Sequence, residues 1–329
     1  MTTPAPVPRI ARRGASLASG LATWLREPDR PLLGIEVRAN SLAALRLTQS
    51  HGRRALAAAA EVRLSEQSLR LSMVHPNVTD AAAFKGAVGL LLERVGALTE
   101  RRVALALPDS VARIVVLSGP DIAAARGAGM ADVVRFRLRE KVPFDIRQAT
   151  VVSELVPAAN ATSPGAALCV AVLHSVLQEY EGAVESHGLR AGLVEISGLA
   201  LLRSSLASRA AGDWLTLNWD EDHFSLFLTR GGVPLLARTV VGRADPDGVG
   251  RELSNTILYH SERLGGGGLA GVRLRSAHLP VIEASEHVAR VLGVVPTVID
   301  PLAALGGESS GELGQALAGV ACALGDGPG

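Results

Sequence analysis

One pattern of short apolar strands joined by tight turns is written twice in this chain, and no other feature restricts the possible folds as much. The first copy runs Leu32-Leu33-Gly34-Ile35-Glu36-Val37, a turn, Ser41 to Leu47, a polar turn at Ser50-His51-Gly52-Arg53, then Ala55 to Leu64. The second runs Trp214 to Trp219, a charged turn at Asp220-Glu221-Asp222, Phe224 to Leu228, a turn at Gly231-Gly232, then Pro234 to Val241. Each copy reads as three antiparallel strands. A helix and a further strand follow both. In the first half Thr79 or Asp80 caps a helix with Phe84, Val88, Leu91, Leu92 and Val95 on one face, before the strand Arg102 to Leu107. In the second, Val249, Leu253, Ile257 and Leu264 mark a helix, and Gly265 to Gly268 leads to a strand at Gly271 to Leu274. Two βββαβ units predict a two-lobed α/β protein.

Between Arg113 and Ile196 the first half carries an insertion without a counterpart in the second. It reads as strand, helix (about Ile122 to Lys141, ended by Pro143), strand, loop, strand, helix (about Ser175 to His187) and strand. The expected organisation is therefore a tail over 1–30, a first lobe over 31–112 with 195–211, an inserted α+β subdomain over 113–194 and a second lobe over 212–325. A chain of 329 residues is long enough for two lobes that each bury a core. No apolar run is long enough to span a bilayer, and no secretory leader is recognisable, which predicts a soluble cytoplasmic protein. In the tail, Leu17, Leu21, Trp24 and Leu25 share a helical face behind Arg9, Arg12 and Arg13. Such a segment suits either an anionic membrane surface or packing on its own domain.

Two βββαβ lobes with a subdomain spliced into the first are the architecture of the actin-like superfamily, and the residues resemble one branch of it. Leu33 to Leu47, Arg101 to Ser110, Lys141-Val142-Pro143-Phe144-Asp145, Glu181 to Leu189 and Asp300-Pro301-Leu302 together resemble the PilM family of type IV pilus assembly proteins, related to the cell-division protein FtsA. The resemblance extends from about Leu32 to Leu324 and rests on the order of these stretches. It implies the actin-like ATPase fold, with RNase H-like lobes. It also implies a cytoplasmic scaffold, peripheral to the inner membrane, that grips the cytoplasmic N-terminal tail of a PilN-like bitopic protein and meets other pilus machine subunits; oligomerisation is left open. In the family that tail lies between the first lobe and the insertion. Val142, Pro143 and Phe144 are candidate partner-binding residues there, and equally suit ending a helix and filling a core.

The same resemblance locates a nucleotide pocket. Actin-like ATPases hold Mg-ATP between two phosphate loops, where glycine admits backbone N–H groups to the phosphates and Asp organises metal and water. Where the PilM-like pattern has Asp, Gly and Lys in the first loop, Glu36, Arg38 and Ala43 align, with Asn40 and Ser41 nearby. In the second loop the Asp and Gly fall on Thr216 and Asn218, and the adenine-side Gly pair on Ser276 and Ala277. Asp220-Glu221-Asp222 reads as a solvated acidic turn. The expectation is a degenerate pocket and a pseudo-ATPase, with no cofactor; ATP and Mg enter only if the altered pocket still binds them. The rivals are a working actin-like ATPase and a GspL-like type II secretion component.

Other constellations carry less. Gly266-x-Gly268-x-x-Gly271 has the letters of a dinucleotide fingerprint but sits between a helix and a strand in the wrong order. Cys169 and Cys322 lie in separate apolar runs, and the histidines lack ligand spacing, so no metal site is expected. A net charge of +1, with Arg135, Arg137 and Arg139 alternating along a helix, excludes a strong nucleic-acid face.

Overall fold

The computed structural model describes residues 30–51, 53–124, 128–156, 166–206, 210–307 and 311–325. The candidate tail face at Leu17 to Leu25 and the 157–165 loop lie outside them. The first sheet has the order β3-β2-β1-β4-β8: β1 (Leu33–Val37), β2 (Ser41–Ser50) and β3 (Arg53–Arg63) are antiparallel, while β4 (Arg102–Leu107) and β8 (Arg190–Ile196) run parallel to β1. The second sheet repeats this order as β11-β10-β9-β12-β13, built from β9 (Asp213–Trp219), β10 (His223–Arg230), β11 (Val233–Val241), β12 (Gly271–Ser276) and β13 (Thr297–Val298). The actin-like fold expected from sequence is the one observed.

The helices follow local chemistry. In α1 (Ala81–Arg94) the Asp80 carboxylate accepts the Ala83 N–H at 2.9 Å, and Phe84, Val88, Leu91 and Leu92 turn inward. The helix α6 (Pro246–Arg263) starts with Pro246 after an Asp245 cap that accepts the Gly248 N–H at 2.8 Å. The helix α7 (Val281–Leu292) stops at Gly293, whose φ of 68° is left-handed.

Three boundaries differ from the sequence reading. The insertion is shorter than 113–194, because α4 (His174–Glu185) buries Val176, Tyr180, Ala183 and Val184 in the first lobe's core, and β8 pairs with β4. Parallel strands need a crossover, and α4 supplies it. The true repeat is βββαβαβ. What is inserted is a sheet ordered β5-β7-β6, made of β5 (Arg113–Ser118), β6 (Ala149–Val156) and β7 (Ala166–Leu173), with its own helices. Those helices are α2 (Pro120–Ala124) and α3 (Ala128–Leu138), and α3 ends three residues before the expected Lys141.

The third difference joins the lobes. The segment after β13, expected in the second lobe, forms α8 (Pro301–Ala304), α9 (Glu312–Ala316) and α10 (Ala318–Leu324), whose Leu302, Leu317, Val320, Ala321 and Leu324 pack on Ala43, Leu45, Ala104 and Ala106 of the first sheet. Gly34 makes room: a Cβ there would lie 2.5 Å from Val320. The helix α5 (Ser197–Leu206) packs against α10 and reaches β9. Each lobe thus sends a helix onto the other.

Candidate functional site

The two hairpin turns face each other across the interlobe cleft. Within each copy the turn closes through one backbone bond, Arg38 N to Ser41 O at 2.9 Å and Asp220 N to His223 O at 3.0 Å. The strand registers agree: Glu36 lies opposite Ala43, and Asn218 opposite Ser225. Arg38 and Asp220 are therefore equivalent positions, as are Glu36 and Asn218. This corrects the sequence alignment, which puts the second-loop positions on Thr216 and Asn218; Thr216 lies higher in β9, fully buried, and the turn position belongs to Asp220. Misplacement by two residues is what a period-two strand permits, since it leaves every side chain on the same face.

The equivalent turn residues bond directly. Arg38 Nε lies 3.3 Å from Asp220 Oδ1, while its Nη atoms reach Glu61 Oε1 at 2.9 Å, Glu221 Oε1 at 3.2 Å, Ser41 Oγ at 3.3 Å and the Ala277 carbonyl at 2.5 Å. Arg38 is 5 % exposed. Asp220 also accepts Arg275 Nη1 at 2.7 Å, and the fully buried Arg275 continues to Asn218 Oδ1 at 3.0 Å, Glu36 Oε1 at 3.4 Å and the Gln315 carbonyl at 2.8 Å. Asn218 Nδ2 donates to Asp109 Oδ2 at 2.9 Å, and Asp109 Oδ1 accepts the Gly198 N–H at 2.6 Å. Glu36 Oε2 accepts the Val320 N–H at 2.8 Å, where α10 begins. A continuous charged network therefore runs from one hairpin to the other.

Its electrostatics follow from burial and pairing. Burial raises the Glu36 carboxyl to about 7 against the opposing pull of Arg275. Burial also works against ionised Asp220, but Arg275 and Arg38 outweigh it and hold its carboxyl far below the usual range. For Arg38 the desolvation that would favour proton loss is exceeded by Asp220, Glu221 and Glu61, so its charge is locked on.

The acidic turn is accordingly not solvated. Asp220 is buried between two guanidiniums, Glu221 is half-buried on Arg38, and Asp222 Oδ1 pairs with His223 Nδ1 at 2.7 Å. Asn40 stands exposed at the first turn. The Ser276 N–H donates to Gln315 Oε1 at 3.0 Å, its hydroxyl donates to the Leu279 carbonyl at 2.9 Å, and Ala277 N donates to the Trp219 carbonyl at 2.9 Å. Beside Arg38 an interlobe cavity of about 410 Å³ remains, bounded by Asn40, Ser41, Ser276, Ala277 and Gln315. Among the described residues no cluster of His, Cys, Asp or Glu is placed to hold a metal ion. Sequence reasoning missed Arg275 as a site residue; the available signal was an arginine inside an apolar strand immediately before Ser276-Ala277.

A second candidate site lies between the first lobe and the insertion. It is an apolar groove of about 570 Å³ lined by Val152, Val170 and Val172 of the inserted sheet, Leu177 of α4, and Leu199 and Leu202 of α5, with Glu154, Glu195 and Arg203 at its margin. Arg203 hydrogen-bonds Glu195. Val142, Pro143 and Phe144 do not line it: Phe144 packs against both adjoining cores, Val142 against the inserted one, and Pro143 is exposed.

Two sheets of identical order, each beginning with an antiparallel triple hairpin, with the interlobe cleft between their first turns, define a protein of the actin-like ATPase fold. Among solved structures the chain is similar to one in the "PilM-PilN type IV pilus biogenesis complex", with a TM-score of 0.74 and 18 % identity over 91 % of this chain and 100 % of that one. It also resembles a protein of actin-like ATPase fold and unknown function from Bacteroides thetaiotaomicron, with a TM-score of 0.53 and 10 % identity over 88 % and 95 % of the two chains. No protein-family model and no curated protein matches the sequence.

Proposed function

We propose that this chain is a PilM-like scaffold of a type IV pilus or related secretion machine, holding the cytoplasmic N-terminal tail of a PilN-like membrane protein in the groove between first lobe and insertion, without hydrolysing ATP. The similarity to a chain of the PilM–PilN complex supports the machine and the partner. The groove supports the mode of binding: it is mainly apolar, with Glu154, Glu195 and Arg203 among its lining residues, which suits a short extended peptide anchored by a few apolar side chains. Among the described residues no helix is long and apolar enough to cross a membrane. The proposed location is the cytoplasmic face of the inner membrane, reached through the partner.

The observation that carries the loss of chemistry is the direct Arg38–Asp220 contact. The residues do not fit a Mg-nucleotide. Phosphates between these turns need converging backbone N–H groups and a glycine that lets them approach. The first turn presents a guanidinium already committed to three carboxylates, and the second presents a buried carboxylate.

The test is calorimetric titration of the full chain with the N-terminal cytoplasmic peptide of a candidate PilN-like membrane protein from the same organism. Binding at high micromolar or tighter is expected, and Val170→Asp, on the groove wall, weakens it at least about tenfold by placing a charge against apolar surface. No binding in that range sinks the scaffold reading. Micromolar binding of Mg-ATP in the same instrument sinks the pseudo-ATPase reading independently.

A further inference from the structure

The end of the first lobe where β4 and β8 begin has an unusual charge arrangement. Arg102 and Arg190 are direct cross-strand partners in this parallel pair. Like charges directly opposite each other destabilise a sheet, so such a pair is retained at a cost in folding free energy. Arg101 adjoins them, its carbonyl accepting the Arg190 N–H at 2.9 Å. The Arg102 guanidinium lies close to Gly192, where a Cβ would sit 3.0 Å from its Nε and 3.2 Å from its Nη2. At the same end Arg54 donates from Nη1 to the Leu324 carbonyl at 2.7 Å and from Nη2 to the Arg30 carbonyl at 3.3 Å, and Arg30 donates to the Gly325 carbonyl. Arg53, at the start of β3, is exposed. Carbonyls orient these guanidiniums without neutralising them.

Arg38, Arg230 and Arg275, at the interlobe junction and in the second lobe, are paired with a carboxylate, whereas among the described residues none of Arg30, Arg53, Arg54, Arg101, Arg102 and Arg190 is. The acids in the same segments, Glu100 and Glu185, pair with none of them. The loop leading into β4 adds an apolar tip: Leu98 is 63 % exposed. The chain that continues from Arg30 toward the N-terminus carries Arg9, Arg12, Arg13 and Arg26 with Leu17, Leu21, Trp24 and Leu25. A net charge of only +1 means that any electrostatic attraction must be local, and at this end six arginines without carboxylate partners could supply it.

We propose that this arginine-rich end of the first lobe is a docking surface for anionic phospholipid membrane. Guanidiniums bond lipid phosphates bidentately, the exposed leucine of the adjoining loop enters the headgroup boundary, and unpaired like charges on adjacent strands are relieved when phosphates lie between them. The described part of this end has no aromatic side chain on which nucleic-acid bases would stack, which favours lipid. The surface is separate from the peptide groove, so it would add a second, weak hold on the membrane to the one supplied by the partner.

Sedimentation of the full chain with vesicles tests this. Phosphatidylglycerol-rich vesicles capture the protein at low salt, pure phosphatidylcholine vesicles do not, and raising ionic strength releases it. Arg101→Ser with Arg190→Ser lowers the partition coefficient about 30-fold, and Leu98→Ser about fivefold, with the double variant melting no lower than the parent by circular dichroism and with unchanged peptide binding in the groove. The proposal is overturned if anionic vesicles do not capture the chain or if the double variant sediments like the parent. It is equally overturned if Arg9→Ser, Arg12→Ser and Arg13→Ser together abolish capture, or if duplex DNA binds more tightly than the vesicles.

Discussion

Replacing Asp220 with Asn removes the carboxylate shared by two buried guanidiniums while keeping its shape. Arg38 Nε and Arg275 Nη1 lose charge-assisted contacts of 3.3 and 2.7 Å. Hydrogen bonds to charged groups contribute about 1.5–3 kcal/mol each against about 1 kcal/mol for neutral ones, and stripping a buried charge of its partner costs about 3–5 kcal/mol. Arg275 keeps Asn218, the Gln315 carbonyl and Glu36; Arg38 keeps Glu61 and Glu221, whose side chains are 31 % and 25 % exposed. The expected loss is therefore at the lower end, about 3 kcal/mol. Arg38→Met leaves Asp220 still bonded to Arg275, so it costs less, about 2 kcal/mol. With both changes the shared contact is lost only once, and the double variant is expected near 3 kcal/mol, giving a coupling of about 2 kcal/mol. Urea unfolding followed by tryptophan fluorescence, to which Trp219 contributes beside Trp24 and Trp214, measures all three. The Trp219 indole is fully buried beside Asp220, with Nε1 donating to the Ala244 carbonyl at 2.7 Å, and it reports on this junction. A coupling below about 0.5 kcal/mol would refute the claim that the pair clamps the lobes together.

Two further outcomes follow from the same junction. The folded Glu36 carboxyl titrates near 7 rather than its usual 4.5, so the native state holds this proton more tightly than the unfolded chain. Its contribution is complete below the unfolded value and is lost as pH rises through about 7, amounting to about 3 kcal/mol. Glu36→Gln should therefore flatten the decline in stability between about pH 5 and pH 8, and a parent protein that gains stability over that range relative to the variant contradicts the assignment. Gly319→Ala places a Cβ 2.6 Å from Glu36 Oε1 and 2.7 Å from Ser197 Cβ, which forces α10 away from β1. A loss of about 2 kcal/mol is expected in thermal or urea unfolding, and a neutral result would show that α10 is not held where described.

The sequence made the lobes legible because period-two hydrophobic runs and glycine turns survive in both copies, as the recovery of β1 to β4 and β9 to β12 shows. It misassigned α4 and β8 because a parallel strand and its crossover look the same whichever sheet they join; only the burial of Tyr180 and Val184 in the first core decides it. The return of α10 to the first sheet was invisible for a similar reason. Its partners Ala43, Ala104 and Ala106 are small residues that mark a close approach without saying by what. At the pocket, the departure of Arg38 from the pattern could be read directly. That Arg38 meets Asp220 could not, since the contact joins residues 182 positions apart and the alignment had fixed on Thr216 and Asn218.

A duplicated fold places every residue of one copy in geometric relation to its twin, and twins nearest the pseudo-twofold axis become neighbours. Arg38 and Asp220 are such twins. Giving them opposite charge makes the two turns a self-complementary seam. Exchange of the two charges, Arg38→Asp with Asp220→Arg, asks whether the seam depends on which copy carries which sign.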